Sequence, residues 1–233
     1  MTAISKNARV AGLLYILASV VGFLRLGYIP KNLFVRGDAV ATANNIASHE
    51  FLFRLGFASE LLGGLLWLFV PLALYRLLKE VDRGLAITMV ILGSLMPVPL
   101  FFANVVNDGA ALLFARGGDF LSVIDQPQRD AFTRLFLSLH HQLDLANMLF
   151  WGLWLFPFGL LVHRSRFLPR FLGVWLVAAC FAWMALGLGG LLFPAYEDTV
   201  YNITQPVALG EVATMLWLVI MGAKEPRLNP AKA

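Results

Sequence analysis

From Phe171 to Tyr196 the chain runs "FLGVWLVAACFAWMALGLGGLLFPAY" without one charged side chain. A run of that length and apolarity can satisfy its own backbone in hydrocarbon only as a helix, because lipid offers no partner to an open N–H or C=O. Five other stretches qualify, so the predicted spans are about 9–29, 57–77, 84–107, 143–163, 169–193 and 206–223. Composition agrees: 59% of the residues are hydrophobic, 14% are charged, and the mean hydropathy is +0.75. Soluble domains hold about half apolar and a quarter charged residues, so the soluble classes are excluded. The fold class expected is an all-α polytopic membrane protein, one transmembrane domain of six helices over residues 1–233. The lipid bilayer is its first partner.

The first stretch follows Lys6 and Arg9 and continues past Gly22 without a small-residue cleavage site, which marks a retained anchor rather than a signal peptide. Cys180 is the single cysteine, so neither an intramolecular disulfide nor a thiolate metal cluster can form within the chain. The net charge of +4 does not point to nucleic acid, since the bases occupy short loops between spans. They speak instead to orientation. Of the 18 lysines and arginines, six (Lys31, Arg36, Arg54, Arg116, Arg129 and Arg134) fall on one side. Arg25 lies within the first span, and the rest, from Lys6 and Arg9 to Arg227 and Lys232, fall on the other. The positive-inside rule then puts both termini in the cytoplasm and the chain in the cytoplasmic membrane.

The basic turns "YRLLKEVDRG" and "HRSRFLPR" are short, so spans two and three, and four and five, should pack as antiparallel hairpins. On the outer side Asp38 is placed to cap a short interfacial helix near 38–47, which explains "RGD" better than cell adhesion does. "NIT" at Asn202 has the form of a glycosylation acceptor and is short enough to arise by chance.

Polar groups within the spans gather at one level. Counting from the basic ends at about 1.5 Å per residue places Arg25, Glu60, Asn104, Asn107, Asp108, Asp144 and Asn147 in the outer third, with Glu211 about 10 Å below the outer surface. Charges at such depth turn toward the bundle interior. His140, Asp144, Asn147 and Trp151 share one helical face, and Asn104, Asn107 and Asp108 share another. Glu60 has Gly56, Gly63 and Gly64 on its face, a small-residue stripe that marks close helix contact. Pro97 and Pro99 each remove a helix hydrogen bond below the asparagines, where a kink would widen a cavity; Pro71 and Pro157 could bend their helices as well.

These residues support more than one chemistry. His140 and Asp144 at i, i+4, with Glu60, could bind a divalent metal such as Zn²⁺ or Fe²⁺, completed by Asp108 or Glu211. Histidines at a span end are equally at home as headgroup-level anchors. Arg25 with Glu60 or Glu211 reads as a buried ion pair, and Glu211, the deepest acid, as a site for proton transfer. No G-x-S-x-G turn surrounds Ser59, Ser94 or Ser138, and there is no phosphate loop. The tryptophans and phenylalanines read as packing.

The segments "ARVAGLLY", "GDAVATANNIA", "LFRLGFASELL", "LALYRLLKEVDRGLA", "HRSRFLPRFLG" and "LGEVATMLWL" come in an order and spacing that resembles a bacterial membrane-protein family, domain of unknown function 4386. The resemblance implies a six-helix inner-membrane protein and no established activity. It is matched at Arg54, Asn104, Asn107, His140, His141 and Glu211, with an acid expected at Glu60. It departs at Asp108, where histidine is expected, and at Asp144, where an aromatic or neutral residue is expected, which makes these two the weakest members of a shared site.

Three function classes follow. A membrane-embedded enzyme for a lipid or lipophilic substrate uses Glu211, Glu60 and His140 as catalytic groups, with Asn104, Asn107, Asp108, His141, Asp144, Asn147, Arg25 and Arg54 in an outward-facing polar pocket. A small-molecule or proton-coupled carrier needs polar groups at both ends, and the inner half supplies none. A ligand-binding or sensing protein needs only the pocket. Oligomeric state is not encoded legibly.

Overall fold

In a computed structural model, residues 2–224 are described; Arg227 and Lys232, counted above among the inner bases, lie outside them. Among the described residues there is no β-strand, and six helical segments are long and apolar enough to cross a bilayer: Ile4–Leu33, Glu50–Leu78, Arg83–Arg116, Gln126–Arg164, Arg170–Leu192 and Pro194–Ile220. The protein is a multi-pass membrane protein.

Among the described residues there are ten α-helices, nine of them within the spans and one, the third, between the first span and the second. They are α1 (Ala3–Phe23), α2 (Ile29–Leu33), α3 (Ala39–Ser48), α4 (Glu50–Leu78), α5 (Arg83–Val90), α6 (Val98–Arg116), α7 (Gln126–Leu153), α8 (Leu155–Arg164), α9 (Arg170–Leu192) and α10 (Glu197–Ile220). The first, third and fourth spans are interrupted. A π-helical turn, Leu24–Tyr28, joins α1 to α2, and a second, Ile91–Leu95, ends α5. Pro97 and Pro99, which cannot donate, explain why the third span breaks and restarts at Val98. The fourth span breaks at Trp154, three residues before Pro157, whereas Pro71 stays inside a continuous α4. Asp38 caps α3, its Oδ1 accepting from Ala41 N at 2.8 Å.

Neighbours in sequence are neighbours in space: α1 packs on α4, α4 on α6, α6 on α7, α7 and α8 on α9, and α9 on α10. α10 returns to α1 and closes a ring in chain order. Glycines set its tightest contacts. A Cβ on Gly173 would stand 2.6 Å from Gly159 O, and one on Gly152 would stand 2.7 Å from Cys180 O. At the basic end, Arg164 Nη1 reaches Asp82 Oδ2 at 3.2 Å and ties the two short turns together, while Lys224 N donates to Phe167 O. The two ends of the described chain thus lie at one end of the bundle.

Two apolar clusters divide the interior. The larger fills the basic half around Trp154, Phe158, Leu74 and Leu155, all fully buried. The smaller, around Ile29, Leu33, Ile46, Phe53 and Ala111, joins α2 and α3 to the far ends of α4, α6 and α7. Between them lies the polar layer. The expected spans end at 107 and resume at 143, whereas α6 continues to Arg116 and α7 starts at Gln126, so the two helices extend past the layer and help cover it.

Candidate functional site

The layer is organised around Arg25. The π turn that holds it accommodates an extra residue per turn, which shifts the helix face, and Arg25 is buried while Leu26 beside it faces outward. Its guanidinium makes a two-pronged bond to Asp108, Nε to Oδ2 at 2.5 Å and Nη2 to Oδ1 at 2.6 Å, the strongest pairing geometry available to a carboxylate. The Phe34 ring lies 5.7 Å from its central carbon. Gly56 makes room for this chain, since a Cβ there would stand 3.3 Å from Arg25 Cδ. Glu60 is more distant, its Oε2 3.8 Å from Arg25 Nε and without a hydrogen-bond partner.

His140 sits between acids. Its Nδ1 is 3.0 Å from Asp108 Oδ1 and its Nε2 is 3.2 Å from Asp144 Oδ2 and 3.9 Å from Glu60 Oε2, in directions that fall short of hydrogen bonds. Asn104 donates to Asp144 at 2.9 Å and accepts from Asn107 at 3.1 Å. Asn147 donates to Pro97 O at 3.5 Å, at the broken turn. The π turn of the first span and helices α4, α6 and α7 therefore meet at one level through three carboxylates, one guanidinium and one imidazole. The acids outnumber the bases whichever state the imidazole takes.

The metal-ligand geometry differs from the set expected. Glu60, Asp108 and His140 can each turn one ligand atom to within 4.8 Å of the others, so Asp108 takes the place foreseen for Asp144. Both Asp108 oxygens already accept from Arg25, which removes a ligand and sets a positive charge beside any ion. The residues present fit an arginine better than a divalent metal.

Beside this layer, in the middle of the ring, lies a cavity of about 300 Å³. Arg25 and Glu60 line one end and Glu211 the other, with Trp67, Phe101, Trp151 and Trp183 between. Glu211 accepts from Tyr15 Oη and from Trp183 Nε1, the latter at 2.5 Å, and so does not pair with Arg25 as one sequence reading had it. On one side the cavity is bordered by Phe23 and Leu26 of the first span and Leu209 and Val212 of α10, side chains that are well exposed (64, 45, 53 and 44%). Trp67 Nε1 and Trp151 Nε1 are buried without an acceptor.

Of the residues singled out in the sequence, Arg25, Glu60, Asn104, Asn107, Asp108, His140 and Asp144 come together, Asn147 lies one helix turn from Asp144, and Glu211 faces the same cavity from its other end. Two lie apart. Arg54 pairs with Glu50 at 2.7 Å on the surface, and His141 pairs with Glu197 at 3.1 Å, half exposed. Asp108 and Asp144, which the resemblance made the weakest members of a shared site, stand at the centre. Sequence reasoning missed Tyr15, Trp67 and Trp183 because aromatic residues in a membrane helix default to packing. The available signal was helical register, since Trp67 follows Glu60 by seven residues on one face.

No curated protein and no solved structure matches this chain. A family model matches residues 10–222, nearly the whole chain. The chain belongs to the family described as "Domain of unknown function (DUF4386)".

Proposed function

We propose that the protein binds a lipid or lipophilic molecule inside the membrane, in the cavity between its first and last spans, with the basic turns in the cytoplasm and the capped end outside. The observation that carries this reading is the rim. A cavity bordered by Phe23, Leu26, Leu209 and Val212 is reached from the hydrocarbon, not from water, because those side chains face lipid. Pockets of this volume with mostly apolar walls and a few convergent polar groups are the usual form of a small-molecule site. Trp67, Trp151 and Glu60 line the cavity, and Trp67 Nε1, Trp151 Nε1 and Glu60 Oε2 lie buried beside it without a partner in the protein.

The ligand touches Glu60, whose carboxylate stands 3.8 Å from Arg25 and 3.9 Å from His140. An enzyme acting on a lipophilic substrate would use Glu60 for proton transfer, with Glu211 at the deep end and His140 as the relay behind. The dry core around Trp154 and Phe158 closes the basic half, which favours binding or turnover over passage to the other side. The test is a side chain that fills the cavity. A Cβ on Gly22 has nothing within 4 Å and Gly22 lines the wall, so Gly22→Leu fits without disturbing the fold. In nanodiscs containing a brominated-acyl phospholipid, tryptophan fluorescence of the native protein should be quenched more than that of Gly22→Leu. Equal quenching would remove the cavity as a lipid-accessible site.

A further inference from the structure

We propose that the ligand of this cavity is a lipophilic cation whose charged centre is a tertiary or quaternary ammonium, seated among Trp67, Trp151, Trp183 and Phe101 between Glu60 and Glu211. The proposal rests on the reading of the cavity as a binding site for a lipophilic molecule, and it adds the sign of the ligand's charge.

Three observations give that sign. First, the lining contains one base, Arg25, whose Nε and Nη2 bond to Asp108, so its charge is already paired. An anionic headgroup would find no free cation on the described wall and would face two carboxylates. Second, Glu60 lines the cavity and its Oε2, buried and set back 3.8 Å from Arg25, accepts no hydrogen bond, so the protein leaves this acid only partly paired. Third, the space between the two acids is lined by aromatic side chains: Phe101 lies against Trp151 at 6.0 Å between ring centroids, and Trp151 meets Trp183 edge-on at 5.7 Å. Aromatic rings backed by carboxylates attract a weakly hydrated ammonium, whose desolvation is cheap compared with that of a primary amine or metal ion.

Geometry assigns the rest of the molecule. Tyr15, which holds Glu211, and Arg25, which marks the Glu60 end, are separated on the first span by about 15 Å of helix rise, so the cavity is a shaft with an acid at either end. The ammonium occupies the shaft and its apolar arm leaves through the rim at Phe23, Leu26, Leu209 and Val212 into lipid.

The experiment uses the full chain in non-ionic detergent, titrated with octyltrimethylammonium, octanol or octyl sulfate and read by tryptophan fluorescence. The ammonium should bind at least about tenfold more tightly than the alcohol or the sulfate, the scale of a desolvated cation–π contact with a carboxylate nearby. Glu60→Gln should remove most of that preference, and Gly22→Leu should weaken all three probes. Equal binding of the three probes to the native protein overturns the cation and leaves the lipophilic cavity standing. Binding that Gly22→Leu does not change, or no binding at all, overturns both. If Glu60→Gln does not fold, the probe series on the native protein decides alone. Displacement of the probe by lysophosphatidylcholine assigns the ammonium to a lipid headgroup; displacement by dodecyldimethylamine only assigns it to a free amine, and both uphold the cation.

Discussion

Asp108 shows how far residue-level reasoning reaches. Its depth and its inward face follow from counting, yet its partner does not, because Arg25 could equally have met Glu60 or Glu211 on the same count. The choice is made by Gly56, which lets the arginine stem lie flat against α4, and by the π turn that swings it toward α6. Taking one member from a buried two-pronged pair leaves a bare charge in a dry interior, a loss of about 3–5 kcal/mol, whereas removing both ions for apolar residues can be nearly neutral. Asp108→Leu should therefore lower the melting midpoint in detergent sharply, and the double variant Arg25→Leu with Asp108→Leu should recover most of it. A double variant no more stable than the single one would mean the pair is not coupled. Tyr15→Phe tests the other end: with the hydroxyl gone, Glu211 loses one of its two donors, and a drop of about 1–3 kcal/mol in stability is expected from the same melting measurement.

At the scale of elements, the proline breaks were legible and the glycine contacts partly so. Pro97 and Pro99 announce the interruption of the third span because a missing N–H is a local property. The turn at Leu24–Tyr28 was not legible, since nothing in "LRLGY" forbids an ordinary helix and the π turn is stabilised only by where Arg25 ends up. The Gly56, Gly63 and Gly64 face was recognised as a contact. Gly159 and Gly173 were not, because they fall in different spans and matter as a pair. Gly173→Val forces a branched side chain against the Gly159 carbonyl and should cost about 1–3 kcal/mol, visible as a lower midpoint and faster protease cleavage in the turn at residues 165–169. The same substitution at Gly109, which has nothing within 4 Å, serves as the control and should change little.

The whole molecule was the most legible level, because bilayer thickness fixes span length and short basic turns fix antiparallel neighbours. What sequence could not supply was the cover over the polar layer. It depends on α6 and α7 running beyond the apolar windows as amphipathic helices, where hydropathy falls away and helical structure does not. The expected orientation has a direct check. In whole cells, a membrane-impermeant maleimide should label Ser122→Cys, which lies at the capped end, and should reach Glu80→Cys, at the basic end, only after permeabilisation. Cys180 is buried and should stay unlabelled in both. The reverse pattern would invert the topology.

Ring closure also has a consequence for how the protein is made. α1 and α10 are the only ring neighbours among the described spans with no turn between them, and the contact of Tyr15 with Glu211 joins an early-made helix to one made five spans later. Glu60 and Arg25 enter the membrane several spans before α10 arrives to complete the wall around them. The newborn bundle must therefore wait, with an open flank and its acids beside lipid, until α10 is delivered. A chain stalled after α9 presents quality-control proteases with a polar seam that the finished protein hides.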